Sequence, residues 1–316
     1  MLHYAFMQRA LLAALLVGLT APVVGVYLVQ RRLALIGDGL GHVALTGVAL
    51  GVLTGGAPVL VALACSVAGA VAIEVIRARG KASADVALAV MFYGGIAGGV
   101  VLIGLSPQGT PANLSAYLFG AITTTTADDL AIFALLSAGV LAVAVGLAPR
   151  LFAVSNDEEF ARASGMNVLG LNVLLAVLTA ATVVISMRIV GLLLISALMI
   201  VPNAVAQVTA GSFRSSMAVA VGVGVGASVA GTGLSYYADT PSGGTIVLLA
   251  IAVFLVASVA SWLRSRWHGR RHHDTREHPH EHGPGCGHEA IPHGDHVDYL
   301  HDGHRHAAHG AHYDEH

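Results

Sequence analysis

The stretch Arg31–Thr46, RRLALIGDGLGHVALT, decides what kind of protein this is. Two arginines lead into an apolar run that then admits a carboxylate, Asp38, and an imidazole, His42, four residues on. Residues four apart share one face of a helix. A helix beginning near Leu33 would place Asp38 roughly 7 Å and His42 roughly 13 Å along it, at about 1.5 Å per residue. That puts the imidazole close to the middle of a bilayer core about 30 Å thick. Ionisable groups at such depth cost about 3 kcal/mol each, so their default reading is functional.

The composition supports a membrane setting. Of 316 residues, 55% are hydrophobic and 11% charged, against about 25% charged in a soluble domain. Fifteen of the 17 histidines, and many of the charges, follow Trp267. What precedes is a series of long unbroken apolar runs, which read as helices and not as the alternating strands of a closed barrel. The 38 glycines suit helices packed closely through small residues. Two cysteines, Cys65 and Cys286, build no disulfide framework. The net charge of −2 singles out no partner, and no nucleic acid is expected. The fold class is therefore all-α, a polytopic transmembrane bundle over 1–267 with a His-rich tail over 268–316.

Apolar runs and their breaks give nine candidate spans, near 6–29, 33–55, 58–77, 84–105, 128–148, 168–187, 189–209, 215–237 and 243–263. The count falls to eight if the short turn near Met187–Ile189 does not separate two spans. Lys and Arg collect at Arg31–Arg32, at Arg77, Arg79 and Lys81, at Arg150 and Arg162, at Arg214, and at Arg264–Arg271. Nine spans with the N-terminus outside place all five clusters, and the tail, in the cytoplasm. Only Arg9 and Arg188 are out of place.

Three segments lie outside the spans. Residues 106–127 are too polar to cross, and their centre, Ser115 to Ile122, reads as a short helix against the bundle. Residues 149–167, PRLFAVSNDEEFARASGMN, form the longest cytoplasmic connection. There Asn156 or Asp157 would cap a short helix running to Ala163, with Gly165 ending it. The tail has almost no aliphatic residues and is expected to be disordered.

At this point the chain resembles a known family. IGDGLGHVALTGVALG (36–51), NDEEFARASGMNV (156–168) and RIVGLLLISALMIVPNAVA (188–206) are similar, in order and spacing, to the permease subunits of metal-ion ATP-binding-cassette importers. The likeness covers about residues 6–263. It implies a homodimeric permease in the cell membrane, a separate cytoplasmic ATP-binding subunit, and an extracytoplasmic metal-binding lipoprotein. Asp38 and His42 match the family's intramembrane Asp-x-x-x-His pair. Asp157, Glu158, Phe160, Ala161 and Gly165 fall in the segment that couples to the ATPase. Pro202 matches the family's seventh span, but Asn203 stands where Ala is expected.

The residues bear this out chemically. A carboxylate and an imidazole are suitable ligands for Zn²⁺, Mn²⁺ or Fe²⁺, and two ligands from one helix leave a site open enough to release the ion. The bland alternative is that Asp38 pairs with Arg31 or Arg32 while His42 bonds a neighbouring helix. Glu74 reads as paired with Arg77 or Arg79, Asp85 as a cap, Asp128 and Asp129 as first-turn carboxylates, and Cys65 as core. In the tail, His280, His282, Cys286, His288, His293, His296, His304 and His306 are candidate metal ligands. No structural-zinc spacing is expected to repeat among them, so the tail reads as a flexible chelating tract. The expected cargo is a divalent metal, zinc first and manganese or iron(II) next, with no resident cofactor. The chain carries no G-x-x-x-x-G-K-[ST] string, so ATP hydrolysis must come from another subunit. A self-sufficient secondary transporter would need liganding groups on several helices. A membrane-anchored sensor would not need nine spans.

Overall fold

A computed structural model of the chain describes residues 3–80, 84–105, 114–120, 125–192, 194–269, 287–293, 296–301, 304–309 and 312–315. Twelve helices follow in order: α1 (Ala5–Gln30), α2 (Ile36–Leu53), α3 (Pro58–Ala78), α4 (Ala84–Gly104), α5 (Leu114–Phe119), α6 (Ala127–Gly146), α7 (Ala148–Asn156), α8 (Glu158–Ala163), α9 (Val168–Met187), α10 (Ile195–Thr209), α11 (Phe213–Ala238) and α12 (Ser242–Gly269). Eight of these are long and apolar enough to cross a membrane, and α10 is a shorter apolar helix of 15 residues.

Contacts fix the order of crossing. Tyr27, near the end of α1, donates to the Ala144 carbonyl near the end of α6 and packs on Phe213 at the start of α11. At the other extreme, Phe6 of α1 packs on Tyr236 of α11. So α1 and α11 run antiparallel, and α11 starts at the end of the bundle where Arg31 lies. Asn172, early in α9, reaches Glu158 at that same end, while Arg188 after α9 pairs with Asp129 at the opposite one. The chain must therefore return between Arg188 and Phe213. It does so through a non-helical stretch and α10, about 22 Å long at 1.5 Å per residue. Among the described residues α10 thus traverses the bundle as a ninth segment beside the eight long helices.

Irregular backbone at membrane depth is tolerated only where protein surrounds it. Val190 and Leu192 are fully buried, and the Leu192 amide donates to the Tyr117 carbonyl of α5 at 2.9 Å. The short helix expected within 115–122 is thus present as α5, inserted against this break.

The core gathers around α1, whose 26 residues carry 15 buried ones. Close approach of α2 and α3 depends on Gly47, where a Cβ would sit 2.6 Å from Ala62 Cα.

The tail departs from expectation. Instead of a chain without structure, strands β1 (Glu289–His293), β2 (His296–His301), β3 (His304–His309) and β4 (His312–Glu315) form an antiparallel sheet in the order β1-β2-β3-β4. The residues between the strands, 294–295, 302–303 and 310–311, lie outside those described. By internal contacts the chain divides into two compact units, 1–257 and 258–316.

Candidate metal path and coupling end

The helix bearing the pair starts later than its sequence suggests. Arg31 caps α1, and Arg32 adopts φ 57°, a left-handed conformation that costs a non-glycine residue roughly 1 kcal/mol. The Arg32 amide donates to the Val29 carbonyl and the Leu33 amide to the Leu28 carbonyl, the paired bonds of a Schellman motif. Residues 31–35 are consumed in this turn, so α2 begins at Ile36. Asp38 therefore lies in the first turn of α2, where a carboxylate faces unsatisfied amides and the positive end of the helix dipole. His42 is about 9 Å along the helix.

Neither residue is neutralised in the way the bland alternative requires. Among the described residues no ion pair joins Asp38 to Arg31 or Arg32; Arg31 is committed to glutamates. Asp38 opens onto a cavity of about 440 Å³ between α2 and α4, lined also by Arg32, Leu35, Leu88, Phe92 and Tyr93. The His42 ring meets Phe92 edge-on at 4.5 Å, and its buried Nδ1 has no hydrogen-bond partner. Helix α4 is pressed against the backbone here: a Cβ on Gly95 would lie 2.7 Å from the His42 carbonyl carbon, and Thr46 Oγ1 donates to the Gly95 carbonyl at 2.6 Å. A membrane-depth imidazole nitrogen held without a protein partner is suited to accept a metal ion. No group of three or more His, Cys, Asp or Glu side chains is brought together among the described residues.

The segment 149–167 forms the expected short helix, α8. Asp157 is its N-cap, accepting from the Phe160 amide at 2.9 Å, and Gly165 ends it at φ 77°. Ala161 is buried against Val154 and Val168, whereas Phe160 projects outward at 62% exposure. Glu158 does something the sequence did not disclose. Its Oε1 accepts from Arg31 at 2.7 Å and from Asn172 at 2.9 Å, with Arg77 3.9 Å away. Glu74, in turn, is chelated by Arg77 through both oxygens at 2.8 Å and lies 4.0 Å from Arg31. Arg31 and Glu74 are almost wholly buried, at 4% and 2% side-chain exposure. Burial pushes the Arg31 guanidinium below its ordinary pKa, and the Glu74 carboxylate opposes that shift. Four elements, α1, α3, α8 and α9, thus meet at one carboxylate.

Other candidates resolve into structural roles. Asp129 forms a capping box with Thr126 and pairs with Arg188, whose guanidinium also stands 6.0 Å over the Tyr117 ring. Asn203 Nδ2 donates to the Pro22 and Met199 carbonyls, at 3.0 and 2.7 Å, and so ties α10 to α1. Cys65 is a free, half-buried thiol. His280, His282 and Cys286 lie outside the described residues; His288 precedes β1, and His293, His296, His304 and His306 fall on β1, β2 and β3.

A multi-pass bundle of long apolar helices is a transport permease of the plasma membrane, with ATP hydrolysis left to a separate subunit. The chain belongs to the ABC 3 transport family, whose profile matches residues 3–261. It is 33% identical over 256 residues to a probable metal transport system membrane protein of Treponema pallidum, covering 81% of this chain and 96% of that one. It is 30% identical over 275 residues to the manganese transport system membrane protein MntC of Halalkalibacterium halodurans, covering 86% and 94%. Among solved structures, PsaBC from Streptococcus pneumoniae in complex with Fab superposes at TM-score 0.73 with 32% identity, covering 80% of this chain and 91% of that one.

Proposed function

We propose that this permease carries a divalent transition metal inward and that Asp38 and His42 handle the ion within its path. The observation that carries this reading is the partnerless Nδ1 of His42, one helical turn from a carboxylate that opens on a cavity. Two ligands from one helix leave the coordination sphere incomplete, so water or a second copy of the chain must fill it. A homodimer suits the outer face of α4, where Val90, Tyr93, Val100 and Val101 are all exposed. The ATP-binding subunit would dock on α7 and α8, with Phe160 as its apolar contact, and an extracytoplasmic metal-binding lipoprotein would deliver the ion.

For the cargo we propose zinc, on the strength of the His-rich tail. The relative named above for its metal is named for manganese. Uptake of radiolabelled Zn²⁺ challenged with Mn²⁺ and Fe²⁺ decides between them: stronger competition by Mn²⁺ than by unlabelled Zn²⁺ replaces zinc with manganese. His42→Ala is expected to abolish uptake while protein level and dimerisation stay normal. Undiminished uptake by that variant removes His42 from the path.

A further inference from the structure

A polar cleft of about 360 Å³ opens between the end of α3, α8 and the start of α9, lined by Glu74, Arg77, Glu158, Arg162, Leu169 and Asn172. Both carboxylates in it are occupied, Glu158 by Arg31 and Asn172, and Glu74 by Arg77. Arg162 follows Glu158 by four residues on α8, acid before base, the favourable order for an ion pair on one helix face. Glu158 is nevertheless turned to Arg31 and Asn172, and Arg162 pairs with no carboxylate among the described residues.

Arg77 is also only half used. Its Nη1 serves both oxygens of Glu74, whereas its Nη2 stands 3.9 Å from Glu158, beyond hydrogen-bond reach. Two guanidinium groups with spare donors therefore border one cleft. The charges are unbalanced as well: Arg31, Arg77 and Arg162 face Glu74 and Glu158, three cations against two anions. One monovalent oxyanion completes the set. A carboxylate carries that single charge, and guanidinium–carboxylate bonds are among the strong ones. A phosphate dianion overshoots the charge and meets two carboxylates already in place.

The rim of the cleft points to a protein as the source of that carboxylate. Phe160, on α8, and Leu169, on the cleft wall, are large apolar side chains left exposed at the inner end of the bundle. Aromatic and arginine side chains are enriched where protein partners bind tightly. We propose that the cleft receives one Asp or Glu side chain of the ATP-binding subunit, held between Arg162 and the Nη2 donors of Arg77. This rests on the reading that the subunit docks on α7 and α8, and adds the chemistry by which it is recognised.

Binding of the ATP-binding subunit to the full-length permease in detergent, followed by surface plasmon resonance, tests the proposal. Arg162→Glu is expected to weaken the complex roughly thirtyfold, the order of effect for one partner of a close interfacial charge pair. Arg162→Gln should weaken it less, with an unchanged thermal midpoint because Arg162 has no partner to lose, and Arg162→Lys should keep most of the affinity. One Asp→Arg or Glu→Arg change on the ATP-binding subunit should restore binding to Arg162→Glu and weaken binding to the wild type. Wild-type affinity in both Arg162→Glu and Arg162→Gln, or no reversal that restores binding, overturns the proposal. Phe160→Asp separates it from the docking reading. If Phe160→Asp abolishes association while the Arg162 variants bind normally, docking on α8 stands and the carboxylate falls. If none of these changes affects association, docking on α8 falls with it. Loss of co-purifying anionic phospholipid from Arg162→Gln, with subunit affinity intact, assigns the cleft to a lipid headgroup and equally overturns the proposal.

Discussion

At the scale of single residues, Asn203 shows how a polar group at membrane depth can be structural. Its amide holds the Pro22 and Met199 carbonyls and faces no cavity that the Asp38 site opens on. Hydrogen bonds between membrane helices contribute about 1 kcal/mol. Asn203→Leu is therefore expected to lower stability by about that amount, read as a drop in thermal midpoint in detergent, with metal selectivity unchanged. A shift in selectivity would put Asn203 on the path. The sequence could single out Asn203 as a departure but could not show which carbonyls it reaches, because Pro22 is 181 positions away. The Asp38 and His42 pair was legible by contrast, since i,i+4 spacing is local. Its depth was misjudged by three residues, because Arg32 adopts the left-handed conformation usually left to glycine, and the turn it makes is invisible to hydropathy.

At the scale of elements, α8 and its caps were read from Asp157 and Gly165, which are local signals, whereas the ionic centre at Glu158 was not. Arg31 and Glu158 are 127 residues apart, and only packing of α1 against α9 brings them together. This centre ties the helix proposed to receive the ATPase to the turn that precedes Asp38. Breaking a buried ion pair by removing one partner costs about 3 kcal/mol. Arg31→Met is expected to lose less than that, read as a drop in thermal midpoint in detergent, since Glu158 is 36% exposed and keeps Asn172 while buried Glu74 keeps Arg77. Glu158→Gln is the milder probe, because the amide oxygen still accepts from Arg31 and Asn172. In liposomes with the ATP-binding subunit, it should leave basal hydrolysis intact and reduce its stimulation by metal. Full stimulation in that variant would confine Glu158 to holding the fold together.

At the scale of the molecule, the number of crossings decides on which side each end lies. Eight long helices alone would return both termini to one side, and counting α10 separates them. Hydropathy finds α10 but cannot tell a 15-residue helix that crosses from one that only dips in. Phe213 settles the matter in the fold: it packs on Tyr27 and on Phe152 of α7, at the end of the bundle where Arg31 and Glu158 meet. Residues just before α11 are therefore expected inside, and those just after it outside. In a chain with Cys65 and Cys286 replaced by Ser, Thr240→Cys should react with a membrane-impermeant maleimide added to intact cells. Ser212→Cys should react only after the cells are opened. Labelling of Ser212→Cys from outside would mean that α10 does not cross, and would reverse the direction in which α11 runs through the membrane.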